Sequence, residues 1–431
     1  MHFNKRFISL YYSSIGFNEI YILLKGLIIS IFFKTKKFIF KSNNIINYFL
    51  ESKIYTFSSA RGALSACLNF ADIKQGDEVI LSSFTCLAVP TAVINIGAKP
   101  VYVDINSNSL NNDIDEIVKL INPRVKAIVL QHTLGNSADI QSLVELLKTT
   151  NILIIEDCAL SIGTKFKNKL LGSFGHASIF SMELSKTIST GWGGVLVINK
   201  NNFFNNIDQK YKNYHEDNFY QILKDVIQTI FSAINNMPNF HFIGKYISYI
   251  FFKLNLFRYS TTVNEINGFP NVSFISKLSF PFLFLANHQW GRLDSISNKC
   301  YENYSIISDT LQFNGYSVLN IANEEKHKPI SSRIAFLVKD RDLVMNFFLK
   351  RGIELGNWFD GPLTPLPNNK NFNYVSNNYY NSNVIAKHII NIPCHFRLNS
   401  NDINLICAVI DDFSLKNPNQ NLIIENQTNY V

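Results

Sequence analysis

Between Tyr55 and Asn199 short apolar runs alternate with stretches of helical spacing. The runs Glu78–Leu81, Pro100–Val103, Ala127–Leu130 and Ile152–Ile155 predict strands buried on both faces, as in a parallel sheet. Gly62–Phe70, Leu87–Ile96, Asp113–Ile121 and Ile140–Lys148 lie between them and predict helices. Strand, helix, strand in this rhythm implies an α/β layered domain with crossover helices. Two further strands, Ala177–Met182 and Gly194–Ile198, flank a glycine-relaxed turn. From Asn201 to Asn271 the rhythm breaks into segments rich in Asn, Phe, Tyr and Ile. A long helical pattern returns at Leu278–Leu311, and Ser331–Ile410 reads as a small α+β unit. The expected organisation is an extension (1–54), an α/β domain (55–200), a helical insertion (201–276), and a long helix with a small C-terminal α+β domain (277–431).

A chain of 431 residues can bury one large core and a smaller one. The net charge of +8 admits an acidic ligand, a nucleic acid or an anionic membrane. No zinc-finger spacing or RNP-like block supports nucleic acid. No GxGxxG follows the first strand and no Walker lysine is present, which argues against dinucleotide and P-loop domains. The six cysteines are scattered without CxxC or metal spacing, so a reduced, cytosolic setting and no metal are expected.

Ile20–Phe33 is apolar but interrupted by Lys25, and falls short of the roughly 20 residues a spanning helix needs. It lacks a small-residue cleavage site, so it does not read as a secretory signal. With Lys34, Lys36, Lys37 and Lys41 following, it fits a helix lying in a membrane interface, peripheral to the inner face. A helix packed on the protein body with its lysines in water fits equally. Phe242–Phe257 shows the same ambiguity.

Candidate chemistry converges on two residues. Lys186 follows a strand and precedes the turn into Gly194–Ile198, and Asp157 ends the apolar run Asn151–Glu156. A lysine able to form a Schiff base and an acid able to pair with a pyridinium nitrogen are what pyridoxal phosphate (PLP) chemistry requires. Lys186 also reads as a surface lysine in a turn, and Asp157 as a helix N-cap. As the residue beyond a strand's carboxyl end, Asp157 sits where open α/β sheets bind ligands. Ser58–Leu64 opens a helix near Ala60, whose free N–H groups make an anion site.

Five blocks, Ser58–Leu68, Gly76–Val93, Gln131–Ile140, Glu156–Gly163 and Gly172–Gly194, resemble the DegT/StrS-type sugar-nucleotide aminotransferases of PLP fold type I. The likeness is continuous from about Thr56 to Asn199 and resumes over Lys277–Leu293 and Gly352–Ile410. It implies a mainly parallel seven-stranded sheet with a smaller C-terminal α+β domain. It assigns Lys186 the Schiff base and proton transfer, and Asp157 the pyridine nitrogen. Ser59, Ala60 and Arg61 would form the phosphate cup, with Ser181 a side-chain ligand to the same phosphate, although a serine bonded to backbone at a strand end is the competing reading. The family usually shows Ser-Gly-Thr where this chain has Ser59-Ala60-Arg61, and Arg61 could add a charge-assisted contact.

Three positions depart from the family pattern. Cys86 replaces an aromatic that stacks on the cofactor ring, and Leu160 replaces a glutamine near its phenolic oxygen. Ile275 replaces an asparagine donated by the partner subunit, with Asn271 close enough to restore that role. His132 matches a family histidine and is equally a structural one. The resemblance implies a homodimer that transfers an amino group from glutamate to a keto sugar nucleotide in glycan biosynthesis. The departures leave open a divergent, membrane-associated binding or scaffold protein. The dehydratase branch carries histidine in place of the lysine, so Lys186 opposes it.

Overall fold

The computed structural model describes residues 7–32, 44–235, 241–254, 256–270, 275–319, 327–359, 361–367 and 370–422. Its centre is a seven-stranded sheet. Side by side, the strands are Lys53–Phe57, Gly194–Ile198, Ala177–Ser181, Leu153–Asp157, Val125–Gln131, Glu78–Ser82 and Lys99–Val103. Gly194–Ile198 runs antiparallel to both of its neighbours, and the other pairings are parallel. The expected mainly parallel sheet is therefore present.

The strands read as unbroken apolar runs because each face meets its own core. Val79, Leu81, Ala127, Val129, Leu153 and Ile155 pack with Ala63, Leu64 and Leu68 of the Ala60–Phe70 helix. Ile80, Ile128, Leu130 and Ile154 pack on the other side with Ile140 and Leu143. Fully burying each such side chain contributes about 1.5–3 kcal/mol, and the period-two alternation locks the register, since a one-residue slip would exchange the two cores. In the smaller C-terminal unit, Arg333–Leu337 pairs antiparallel with Ile389–Pro393. Ile334, Phe336, Ile390 and Ile392 pack on the Ser400–Lys416 helix through Ile403, Ile406 and Phe413.

The expected long helix is two, Phe280–Gly291 and Leu293–Phe313. Gly291 carries the lowest helix propensity short of proline, and the Arg292 N–H closes a tighter turn onto the Gln289 carbonyl at 3.0 Å. Arg292 then reaches Glu19 at 2.6 Å, tying the break to the N-terminal segment. That segment forms the helix Phe17–Phe32. Leu23 and Leu27 are buried, and Gly26 lies so close to Pro281 that an added Cβ would stand 3.0 Å from its Cα. The opposite stripe, Phe17, Tyr21, Leu24, Ile28, Ile31 and Phe32, is exposed. The helix thus packs on the protein body and also presents an apolar face. Lys34, Lys36, Lys37, Lys41 and Asn271 lie outside the described residues. Among the described residues no helix is long and apolar enough to cross a membrane.

The insertion is helical, with Ile207–Lys212, Phe219–Asn235, His241–Lys253 and Val263–Ile266. Gln228 grips the Arg258 backbone through two hydrogen bonds of 2.9 and 3.1 Å. Asp225 binds the Arg258 guanidinium at 2.9 Å, which stacks 3.8 Å over Trp192. Gly191, at φ +91°, touches Thr229 so closely that a Cβ would meet its Oγ1 at 2.2 Å. The insertion is fastened to the turn that carries Lys186.

Candidate active site

The parallel strand Leu153–Asp157 ends in two carboxylates that face opposite ways. Glu156 is fully buried and accepts N–H groups from Gly172 (2.8 Å), Phe174 (2.7 Å) and Gly175 (2.6 Å). It also meets His132 Nε2 at 3.0 Å. The Ala138 N–H donates to His132 Nδ1 at 3.0 Å, so Nε2 carries the proton. His132 is a structural histidine. His132, Glu156 and Cys158 lie close enough to share a metal ion, but these hydrogen bonds occupy the imidazole and the carboxylate, and burial pushes the Cys158 thiol well up.

Asp157 turns toward the cavity. Its Oδ1 accepts the Ala159 N–H at 2.9 Å, an Asx turn that redirects the chain; no helix begins here, so the N-cap reading is replaced. No hydrogen bond from a described residue reaches Oδ2. Burial raises the Asp157 pKa, while the Ala159 N–H, Lys186 and His132 pull it down.

Lys186 stands in the turn that follows Ala177–Ser181. The Met182 N–H bonds the Gly193 carbonyl and the Thr190 N–H bonds the Met182 carbonyl, both at 2.9 Å. The turn needs glycine at 191 and 193, where φ is +91° and +154°. The Lys186 amine makes no hydrogen bond or ion pair among the described residues and sits 5.1 Å from the Trp358 ring centroid. Burial lowers its pKa and Arg333 adds to this, against the pull of Glu183, Cys86 and Asp157. A lysine held toward its neutral form is a nucleophile and a base.

At the other end, Ser59 caps the Ala60–Phe70 helix, its hydroxyl accepting the Gly62 N–H at 3.0 Å. Gly194 packs onto this helix start, where a Cβ would stand 2.3 Å from the Ser59 carbonyl carbon. Ser181 is buried beside it, and its hydroxyl accepts a long 3.4 Å contact from the Glu183 N–H. Arg61 departs from its expected role. Its guanidinium binds the buried Glu265 carboxylate and the Ser260 carbonyl, both from the insertion. The insertion thereby brings Ser260 and Thr261 to the cavity wall.

These groups line one cavity of about 460 Å³, a usual size for small-molecule sites. Ser59, Ala60, Arg61, Cys86, Asp157, Leu160, Ser181 and Lys186, all inferred from sequence, surround it, whereas Ile275 does not. Sequence reasoning missed Tyr11, Gln131, Arg333 and Trp358. One signal was available: Arg333 opens the apolar run Ile334–Val338, as Asp157 closes one. An amine and a carboxylate oxygen without partners among the described residues, with a hydroxyl-lined helix start, fit the amine, pyridine and phosphate partners that PLP requires.

The Arg61–Glu265 pair yields a stability prediction. Glu265→Ala leaves a nearly buried guanidinium without its carboxylate and is expected to lower unfolding free energy by about 3–5 kcal/mol. Denaturant titration measures it, and a loss below about 1 kcal/mol, the worth of a surface pair, contradicts the buried geometry.

A model of the DegT/DnrJ/EryC1/StrS aminotransferase family matches residues 41–221 and 284–411. GDP-perosamine synthase of Escherichia coli O157:H7 is 39% identical over 144 residues, 33% of this chain and 40% of that protein. The spore coat polysaccharide biosynthesis protein SpsC of Bacillus subtilis is 35% identical over 139 residues, 32% of this chain and 36% of that protein. The match thus spans less than half the length of these curated relatives. A putative sugar aminotransferase, Spr1654 of Streptococcus pneumoniae in its PLP form, superposes with TM-score 0.70 at 18% identity, covering 95% of this chain and 99% of that one. This last likeness is one of fold.

Proposed function

The chain belongs to the DegT/DnrJ/EryC1/StrS aminotransferase family, and we propose that it is a PLP-dependent aminotransferase acting on a nucleotide-linked keto sugar, with glutamate as amino donor. The observation that carries this reading is the pairing, in one cavity, of the Lys186 amine with Asp157 Oδ2, neither of which meets a hydrogen-bond partner among the described residues. A scaffold descended from such an enzyme has no use for either desolvated group, and each is costly to retain. The substrate class draws on relatives named GDP-perosamine synthase.

Bound pyridoxal phosphate supplies an electron-withdrawing ring that makes the donor's α-proton acidic. Asp157 would hold the ring nitrogen protonated through Oδ2. Ser59, Ala60 and Ser181 would bind the phosphate, with Ser260 and Thr261 closing that end from the same chain. Lys186 would hold the cofactor through its carbonyl carbon, and its Nζ would hold and move a proton at the donor's amino-bearing carbon. Burial lowers the pKa of that amine, which favours the form that accepts a proton.

With PLP and L-glutamate but no acceptor, the purified chain should release 2-oxoglutarate stoichiometrically and then stop. The amino group stays with the protein until a keto sugar nucleotide removes it. Absence of 2-oxoglutarate at PLP saturation overturns the reading.

A further inference from the structure

Arg333 is a charged group in the cavity that the chemistry above does not use and, unlike Arg61 and Glu183, it has no hydrogen-bond partner for its side chain among the described residues. It opens the Arg333–Leu337 strand of the C-terminal unit, is only 8% exposed, and still lines the cavity. Its guanidinium has no hydrogen-bond acceptor and no ion-pair partner among the described residues. Two carboxylates lie in its neighbourhood, and both are engaged elsewhere. Glu354 Oε2 accepts from the Ser9 hydroxyl at 2.7 Å and the Leu10 N–H at 3.2 Å. Glu183 Oε2 accepts from the Ser185 hydroxyl at 2.6 Å and N–H at 3.0 Å.

Aromatic faces supply what contact there is, from Trp358 at 5.1 Å and Tyr11 at 5.8 Å to the ring centroids. Cation–π contact only partly replaces the lost hydration. A largely buried guanidinium without a protein acceptor among the described residues favours an oxyanion, and its planar fork matches a carboxylate. Trp358 fixes where that anion falls, because Lys186 Nζ lies 5.1 Å from the same ring.

We propose that Arg333 binds a carboxylate of the amino donor and so holds the donor's amino-bearing carbon near Lys186. This rests on the aminotransferase reading. A nucleotide diphosphate is the other oxyanion in such a reaction. It trails a bulky nucleotide, whereas Arg333 is only 8% exposed and meets the same Trp358 ring as the Lys186 amine where the donor's amino-bearing carbon must react. The carboxylate of a small donor fits there.

The test is Arg333→Gln, with Arg333→Lys as the variant that keeps the charge and loses the fork. Arg333→Gln should raise the glutamate concentration needed for half-maximal 2-oxoglutarate release about tenfold to hundredfold, the worth of a charge-assisted hydrogen bond. Half-saturation by the keto sugar nucleotide and the visible absorbance of bound cofactor should stay unchanged. Arg333→Lys should recover part of the loss. An unchanged glutamate dependence, or a shift confined to the sugar nucleotide, overturns the proposal.

Glutarate, a dicarboxylate without an amine, separates this from failure of the aminotransferase reading because its binding needs no turnover. Calorimetric binding to the PLP-loaded wild type that is lost in Arg333→Gln supports Arg333 as the anchor. Equal binding by both proteins, or none by the wild type, overturns it.

Discussion

Lys186→Ala is expected to yield a folded protein without the borohydride-sensitive visible absorbance of bound PLP, and with turnover reduced by at least about 10²–10⁴-fold, the share of a positioned acid–base group. The fold should not suffer, because the amine makes no hydrogen bond or ion pair among the described residues. Its pKa is lowered in the folded chain, so the folded state binds fewer protons than the unfolded one. Its stability penalty is therefore full at pH values below the folded pKa and vanishes as pH rises through the unfolded value. Removing the amine should leave the denaturant midpoint of the cofactor-free chain at neutral pH unchanged or raised. Wild-type turnover by this variant overturns the role of Lys186.

Asp157→Asn isolates charge from shape, since asparagine can still accept the Ala159 N–H that forms the turn. PLP affinity should fall about tenfold to hundredfold, as expected for losing a charged hydrogen-bond partner, and turnover should fall further. Stability should move the other way. The folded pKa of Asp157 is raised by burial above its ordinary 3.8, so the folded state binds more protons. Its stability contribution is full below pH 3.8 and is lost as pH rises through the folded pKa. The cofactor-free Asn variant should therefore melt higher than wild type at pH 7, with the gap closing in acid. Unchanged kinetics and melting reduce Asp157 to a turn former.

The sheet was legible because every central strand buries both faces, which writes an unbroken apolar run into the sequence. Residues at the ends of those runs were legible for the same reason. Asp157 and Ser181 are polar where the pattern demands apolar, and Lys186 sits among glycines that only a special turn needs. The missed residues carry no such mark. Tyr11 reaches the cavity because the chain near Ile8 pairs with Ile353, more than 300 residues away in sequence, and local periodicity does not encode so distant a contact. Arg61 was assigned to the cup, but its geometry depends on Glu265, which also lies far away in sequence. The exposed stripe of Phe17–Phe32 has the side chains that a bilayer or a second protein surface would cover, so the sequence alone does not choose between them.

The Arg61–Glu265 pair also bears on how such a chain diverges. Arg61 lies in the first stretch that the family model matches, and Glu265 lies between its two matched stretches, residues 41–221 and 284–411. Arginine without the segment leaves a cation searching for a partner at the phosphate cup. The segment without arginine buries a carboxylate that has lost its cation, and Thr229 presses on position 191, where only glycine leaves room. Arg61 and Glu265 are therefore one unit for selection. Intermediates that hold either half are penalised, so Arg61 and the segment that carries Glu265 should be gained and lost together along any lineage that carries them.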